Sequence, residues 1–377
     1  MAKTGKAAVM TAAGMDLEIQ EYPLPTVDQG CILVRITCCT ICGSDVHSWT
    51  GRRKAPTPII LGHEIVGQIV ELGVGVRYDS GDRPLKVGDR ITWTIMDNCG
   101  KCYHCREKGL MMKCRHLKKY GHDSCDVAPH FVGGFAEYCY LTPGTCVIKV
   151  PDGLSDEEVA PANCALATVV AGWEAAEVKP FENVLIQGAG ALGFYAAALA
   201  KHYGCRHIIV TDILDHRLDF IKAFGATAVI NVRDMSAEDV VGAVRGLTDG
   251  FGVDCALEVA GIPDLIPTGL KCLRTGGRYV EIGNSAPGAE FTYDACDIVW
   301  RRLTLKGIHN YDARHLQMGV DSLAMNRNVF PFKDLVTHRV SPVSYTHLRA
   351  HETAYTISYA VFSLKKGGGG GGGGGGG

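Results

Sequence analysis

No stretch of this chain approaches the ~20 consecutive apolar residues that a membrane-spanning helix requires. Its N-terminus lacks the apolar core of a secretory leader. Neither sign of charge dominates: 38 Lys and Arg stand against 40 Asp and Glu, a net charge of -2. That balance gives no reason to expect nucleic acid or an anionic membrane as partner. No internal repeat is present. These absences leave a cytoplasmic protein that acts on a small molecule as the expectation.

At 377 residues, 46% hydrophobic and 21% charged, the chain is long enough for two domains with separate cores. Its 16 cysteines are too many to pass over. In a large chain without an export signal, short-spaced cysteines near histidines read as metal ligands rather than disulfides. Cys31, Cys38 and Cys39, in an apolar run, read instead as small core residues.

Up to about Gly144 the chain alternates short β-type runs with Gly, Pro and Asp. Examples are Cys31 to Cys39, Glu64 to Gly73 and Asp89 to Ile95, which together suggest an irregular all-β domain. Near Asp152 the character changes, and Ser155 with Glu158 three residues on marks a helix start. From Asn183 the pattern is strand, glycine turn, helix, strand. Val184-Leu185-Ile186 suits a buried parallel strand, and Ala191 to Tyr203 an alanine-rich helix. Strands are expected at Ile208 to Val210, Ala226 to Asn231, Val253 to Val259, Arg278 to Ile282 and Leu303 to Gly307. This alternation implies an α/β class with a doubly wound parallel sheet.

Gly188-Ala189-Gly190-Ala191-Leu192-Gly193 is a GxGxxG between that first strand and its helix, the context a dinucleotide site needs. Gly188 allows the tight turn, Gly190 the approach of a pyrophosphate, and Gly193 close packing of helix on strand. The helix N-terminus, around Leu192, offers free N–H groups to the phosphates. Asp212 ends the second strand, where a carboxylate hydrogen-bonds a ribose and favours NAD over NADP. Arg217 sits where it would soften that preference.

Two metal sites of different kinds are written into the cysteines. Cys99, Cys102, Cys105 and Cys114 lie on one loop and can close a tetrahedral shell, a structural zinc site. Lys101, Arg106, Lys108 and Lys113 would offset its thiolate charge, and His104 reads as solvated. The second group is Cys42 in CGSDVH, His63 in GHE, and Cys164 in PANC. Two thiolates and an imidazole leave a fourth position open, as in catalytic zinc sites, where an alcohol would be acidified before hydride loss to nicotinamide. Asp45 is placed to orient His63. Ser44 would take the alcohol proton and pass it towards His47.

With CGSDVH, LGHE, the four-cysteine lobe, VGDR, GAGALG and the acidic strand end in this order, the chain resembles the zinc-containing medium-chain alcohol dehydrogenases from Lys6 to Ser341. That resemblance implies a GroES-like β catalytic domain over 1–164, a Rossmann NAD-binding domain over 165–308, and a truncated return to the catalytic domain over 309–341, a loss expected to leave this chain poorly stable or inactive. It implies two zinc ions per chain, NAD as cofactor, and a homodimer or homotetramer. By matched position Cys42, His63 and Cys164 would hold the catalytic zinc, with Glu64 close to the metal, and Ser44 and His47 would form the relay. The Cys105–Cys114 gap is one residue longer than the family's usual and calls for a small bulge.

More narrowly, HSWTGRRKAPTPIILGHE, DRPLKVGDRITW, KYGHD and APANCA are similar to alcohol dehydrogenases associated with phosphonate catabolism. Arg52 and Arg53 would then clamp a hydroxyalkylphosphonate. A polyol, amino-alcohol or formaldehyde dehydrogenase of the same superfamily is the nearest alternative, and a non-catalytic zinc- and nucleotide-binding protein the more distant one. The segment from about Val343 resembles a translated sequencing adapter, and it ends in polyglycine, Gly367 to Gly377. Residues 342–377 are therefore expected to be a disordered non-native tail.

Overall fold

The computed structural model describes residues 3–285, 287–340 and 359–362. In its first half the strands are β1 (Thr4–Met10), β2 (Glu18–Pro23), β3 (Ile32–Thr40), β4 (Ile59–Ile60), β5 (Glu64–Leu72), β6 (Arg90–Trp93), β7 (Tyr138–Leu141) and β8 (Val147–Lys149). The second half adds β9 (Asn183–Gln187), β10 (His207–Asp212), β11 (Ala228–Asn231), β12 (Val253–Glu258), β13 (Leu273–Glu281) and β14 (Thr304–Gly307). The chain closes with β15 (Val336–Val340) and β16 (Tyr359–Phe362).

β9 to β14 form one parallel sheet in the order β11-β10-β9-β12-β13-β14. The order reverses direction between β9 and β12, and in such sheets ligands bind beyond the strand ends at that switch point. Val184, Leu185 and Ile186 of β9 are all fully buried, as a central strand covered on both faces requires. GxGxxG follows β9 directly, so the glycine loop sits at the switch point.

The first half folds as two mainly antiparallel sheets, β2-β1-β4 and a larger one in which β3 pairs with β5 and β7. Register in the larger sheet matters for the site. Thr40, at the end of β3, lies opposite Glu64, at the start of β5. The pairing therefore brings Cys42, two residues beyond Thr40, and His63, one residue before Glu64, to the same edge. A helix over Gly43–Trp49 follows at once. Ser155 caps the short helix Asp156–Val159 in a reciprocal box with Glu158.

The halves are tied by the chain leaving β14. Tyr311, fully buried, donates its hydroxyl to the Asn163 carbonyl and accepts the Ile95 N–H at 3.3 Å. The helix Ala313–Asn326 then packs on the helix Ala165–Ala175, and Arg314 pairs with Glu174 at 2.5 Å. Among the described residues no helix is long and apolar enough to cross a membrane.

Four residues of the tail depart from the expected disorder. Tyr359–Phe362 form β16, parallel to β15 and antiparallel to β3, with Val361 opposite Thr40 and Phe362 opposite Cys39. The reason is physical. An open sheet edge pairs with any extended segment of β-forming residues, and Tyr-Ala-Val-Phe is such a segment. The remainder of the tail lies outside the described residues.

Candidate active site and metal centres

One donor atom each from Cys42, His63, Glu64 and Cys164 lie within 4.8 Å of one another. Asp45 organises two of them while fully buried. Its Oδ2 accepts the Cys42 N–H at 2.9 Å, the reach-back of a third-position helix residue to its cap. Its Oδ1 accepts the Gly62 N–H at 3.1 Å and lies 3.3 Å from His63 Nδ1. His63 Nδ1 has no other partner. With Nδ1 turned to Asp45, Nε2 is the ring nitrogen free to ligate.

The electrostatics of this cluster call for a cation. Cys42 and Cys164 share a hydrogen bond that pulls the Cys42 thiol well below its ordinary range and holds Cys164 well above it. Burial and the Cys42 charge push Glu64 up, although Thr40 donates to its Oε2 at 2.5 Å. Glu64 Oε1 is buried with no partner. Burial opposes charge on His63, but Asp45 and Cys42 outweigh it and push the imidazole up to about 10. A divalent ion among these donors would satisfy the orphaned oxygen and replace the protons. A set of two sulfurs, one imidazole nitrogen and one carboxylate oxygen suits zinc.

Ser44 Oγ lies 3.4 Å from His63 Nε2, on the donor side of the ring. His47 is exposed in the last turn of the same helix, and no direct hydrogen bond joins it to Ser44. A proton passing between them would need an intervening hydroxyl. Arg52 is exposed, whereas Arg53 is half-buried and acts on a group of basic residues absent from the site read from the sequence. These are Lys119, His122 and His309. The His122 ring is centred 4.7 Å from that of His63, and burial and the His63 charge press its pKa well down. Burial, then Arg53, lowers Lys119 to about 8. Burial, then Lys113, lowers His309 to about 4. Lys119 and His122 stand in the KYGHD segment, whose distinctiveness was visible without any role attached.

The second cysteine group is also assembled. Donor atoms of Cys99, Cys102, Cys105 and Cys114 lie within 4.8 Å of one another. Cys102 Sγ is 3.5 Å from Cys105 Sγ and 3.9 Å from Cys114 Sγ. Backbone N–H groups of Arg115 and Cys105 pull the Cys102 thiol down to about 5, and those of Cys99 and His116 donate to Cys114 Sγ. Between Cys105 and Cys114 the loop turns at Gly109, at φ +64°, and through a 3-10 turn over Met111–Lys113. His104 is neither solvated at Nδ1 nor among the clustered donors: that nitrogen meets the Lys113 carbonyl at 2.5 Å. Lys113 points its ammonium at His309 Nδ1, 2.6 Å away, rather than serving only the thiols.

At the end of β9, Gly188 has φ +116°, and a Cβ on Gly193 would fall 2.1 Å from the Gly188 carbonyl oxygen. Only glycine fits either position. A Cβ on Gly190 would meet nothing within 4 Å, so its surface faces open space. Gly190 caps the helix Ala191–His202 without a side-chain acceptor, leaving the first N–H groups, Leu192 among them, for an anion. Asp212 Oδ2 accepts the Ala189 N–H at 2.8 Å, and Oδ1 accepts those of Ile213 and Leu214. Arg217 stands half-buried on the following helix, and Arg233 donates to the Ile213 carbonyl at 2.8 Å.

Comparison with known proteins agrees with this geometry. Residues 28–152 match the alcohol dehydrogenase GroES-like domain, and 191–324 the zinc-binding dehydrogenase domain. The chain is 33% identical over 340 residues to an L-threonine 3-dehydrogenase of Legionella pneumophila, covering 87% of this chain and 91% of the relative. An alcohol dehydrogenase of Thermotoga maritima superposes with a TM-score of 0.91 at 29% identity, over 96% of this chain and all of that one. A zinc-binding dehydrogenase of Sinorhizobium meliloti, bound to NADP, gives 0.84 at 26% identity over 96% and 99% of the two chains. The chain belongs to the zinc-dependent medium-chain dehydrogenase family, and is an oxidoreductase that uses zinc and NAD(P).

Proposed function

We propose that this dehydrogenase transfers a hydride between a small primary or secondary alcohol and NAD at the Cys42–His63–Cys164 cluster. The observation that carries the reading is the convergence of two thiols, an imidazole and a carboxylate oxygen within 4.8 Å. Zinc held by Cys42, His63 and Cys164, with Glu64 behind them, supplies Lewis acidity that makes an alcohol proton easier to lose. Cys99, Cys102, Cys105 and Cys114 hold the structural ion.

The remaining work falls to side chains. Asp45 keeps the His63 ring turned so that Nε2 faces the donors. Ser44 accepts the alcohol proton, and His47, exposed at the helix end, delivers it to solvent through a bridging hydroxyl. Gly188, Gly190 and the N-terminus of the following helix seat the pyrophosphate. Asp212 meets the ribose, which favours NAD, while Arg217 and Arg233 nearby leave room for some use of NADP.

For the substrate, the segments shared with phosphonate-associated dehydrogenases and the cationic surroundings of Arg53 support a hydroxyalkylphosphonate. L-Threonine is the second reading, favoured by the 33% identity to a threonine dehydrogenase over most of the chain. The test is NAD reduction by the zinc-loaded protein with 2-hydroxyethylphosphonate, L-threonine and propan-1-ol side by side. Zinc-dependent NADH formation is expected with at least one of them, and its absence with every alcohol would refute the assignment.

A further inference from the structure

Two segments bring cations to the neighbourhood of the Cys42–His63–Cys164 cluster, and a third brings neutral acceptors. Arg53 comes from the loop after the helix Gly43–Trp49. Lys113 and Lys119 come from the end of the cysteine lobe and the segment after it. His309 and Asn310 come from the chain leaving β14. Lys119 Nζ donates to Asn310 Oδ1 at 3.2 Å, and Lys113 Nζ to His309 Nδ1 at 2.6 Å. Each contact joins a cation to a neutral acceptor.

Among the described residues neither Arg53, Lys113 nor Lys119 makes an ion pair with a carboxylate. Asp123 is near, but it accepts the backbone N–H of Lys119, at 2.9 Å, and not the ammonium. The negative groups that act most on Lys119 are the thiols of Cys164 and Cys42, whose charge a bound metal would cancel. Lys119 is half-buried, and Arg53 and Lys113 both press against its charge. Gathering cations that no carboxylate pairs, from two segments, costs free energy. A bound anion reverses the sign of that term.

We infer that Lys119 and Arg53, flanked by the Lys113–His309 pair, form an anion subsite beside the catalytic cluster that reads a charged group at the far end of the substrate. The inference rests on the reading that alcohols are oxidised at Cys42, His63 and Cys164. Lys119 becomes the specificity-determining residue and Arg53 its partner, whereas Arg52, exposed on the same loop, takes no part. A tetrahedral phosphonate and a planar carboxylate share the required chemistry. The two-cation arrangement favours the dianion.

Three primary alcohols differing only at the far end test this: 2-hydroxyethylphosphonate, 3-hydroxypropanoate and propan-1-ol. Lys119→Met is expected to lower kcat/KM for the phosphonate by about 10- to 100-fold, mostly through KM, the loss of a charge-assisted contact. Propan-1-ol should change by less than about threefold on the same grounds, and 3-hydroxypropanoate should fall between. Arg53→Gln should repeat the pattern and Arg52→Gln should not. Equal losses on all three alcohols would overturn the subsite. Binding of methylphosphonate to the zinc-loaded protein, followed by calorimetry, gives a readout independent of turnover. Wild-type binding that weakens at least about tenfold in Lys119→Met supports the subsite even if no alcohol is oxidised, and identical or absent binding refutes it. Failure of turnover with binding retained would refute the catalytic assignment alone.

Discussion

Asp45 Oδ1 lies 3.3 Å from His63 Nδ1, with both side chains buried, while the other carboxylate oxygen holds the Cys42 N–H at 2.9 Å. One carboxylate thus fixes the cap that presents a thiol and the ring that presents a nitrogen. Asp45→Asn keeps the size but removes the charge facing the imidazole. Zinc affinity at the catalytic cluster should fall about 10- to 100-fold, measured by competition with a chromogenic chelator. Unchanged affinity would show that the ring is oriented by packing alone.

The two cysteine groups should separate in a metal analysis. Wild-type protein is expected to hold two zinc ions per chain, one for each cluster of donors. Cys114→Ser and Cys42→Ser should each leave one. Cys114→Ser should lose thermal stability more heavily, because that lobe has only its ion to hold four ligands on one loop. Equal melting temperatures in the two variants would contradict the structural assignment.

Asp212, proposed to meet the ribose, also anchors the glycine loop through Ala189. Asp212→Asn should raise KM for NAD by about tenfold, the scale of one charged hydrogen bond. It should also improve NADP, whose extra phosphate would then meet Arg217 and Arg233 without the carboxylate. Initial rates with both cofactors give the ratio. A ratio unmoved by the substitution would place the ribose elsewhere.

A buried acidic pair gives stability a pH dependence. Burial first, and then Glu281, push Glu258 up to about 8, although Ala260 and Gly261 each donate an N–H to its Oε1 at 2.8 Å. The folded state therefore holds this proton more tightly than the unfolded chain does. The resulting stabilisation is complete at acid pH, begins to fade near the ordinary carboxyl value, and is gone above about 8. Glu258→Gln should melt higher than wild type at pH 9 and lose that advantage at pH 5. Each kcal/mol would appear as roughly 2 °C or more in Tm. A constant difference across pH would refute the assignment.

Among the described residues the outer strand of the parallel sheet, β14, has no neighbour on one side, and just before it Trp300 is 81% exposed and Val299 70%. An open strand beside a large apolar side chain suits pairing with a second copy. We propose that this edge carries the homodimer or homotetramer contact. Trp300→Arg should shift the mass measured by light scattering towards the monomer, and an unchanged oligomer would exclude the edge.

Much of this protein was legible because its chemistry is local in sequence. A glycine loop between strand and helix, a four-cysteine loop, and CGSDVH beside GHE each place their own residues through backbone geometry. Other features depend on distant segments meeting. Lys119 and His122 gain meaning only beside Arg53, His309 and the metal donors, which spacing cannot reveal. β13 begins at Leu273, not at Arg278, with the Gly276-Gly277 pair inside the strand. Gly276 keeps φ +72° there, and the pairing with β12 is irregular between Val253 and Cys255. The tail residues of β16 owe their order to a vacant edge, not to their own pattern.

Cys164 begins the helix Ala165–Ala175, which packs against the helix Ala191–His202 of the nucleotide-binding half, while Cys42 and His63 ride on the β3–β5 edge of the other half. A zinc ion gripping all three would therefore also act as a rivet between the two halves. Stripping it would then do more than silence the proposed chemistry: it would slacken the joint between them.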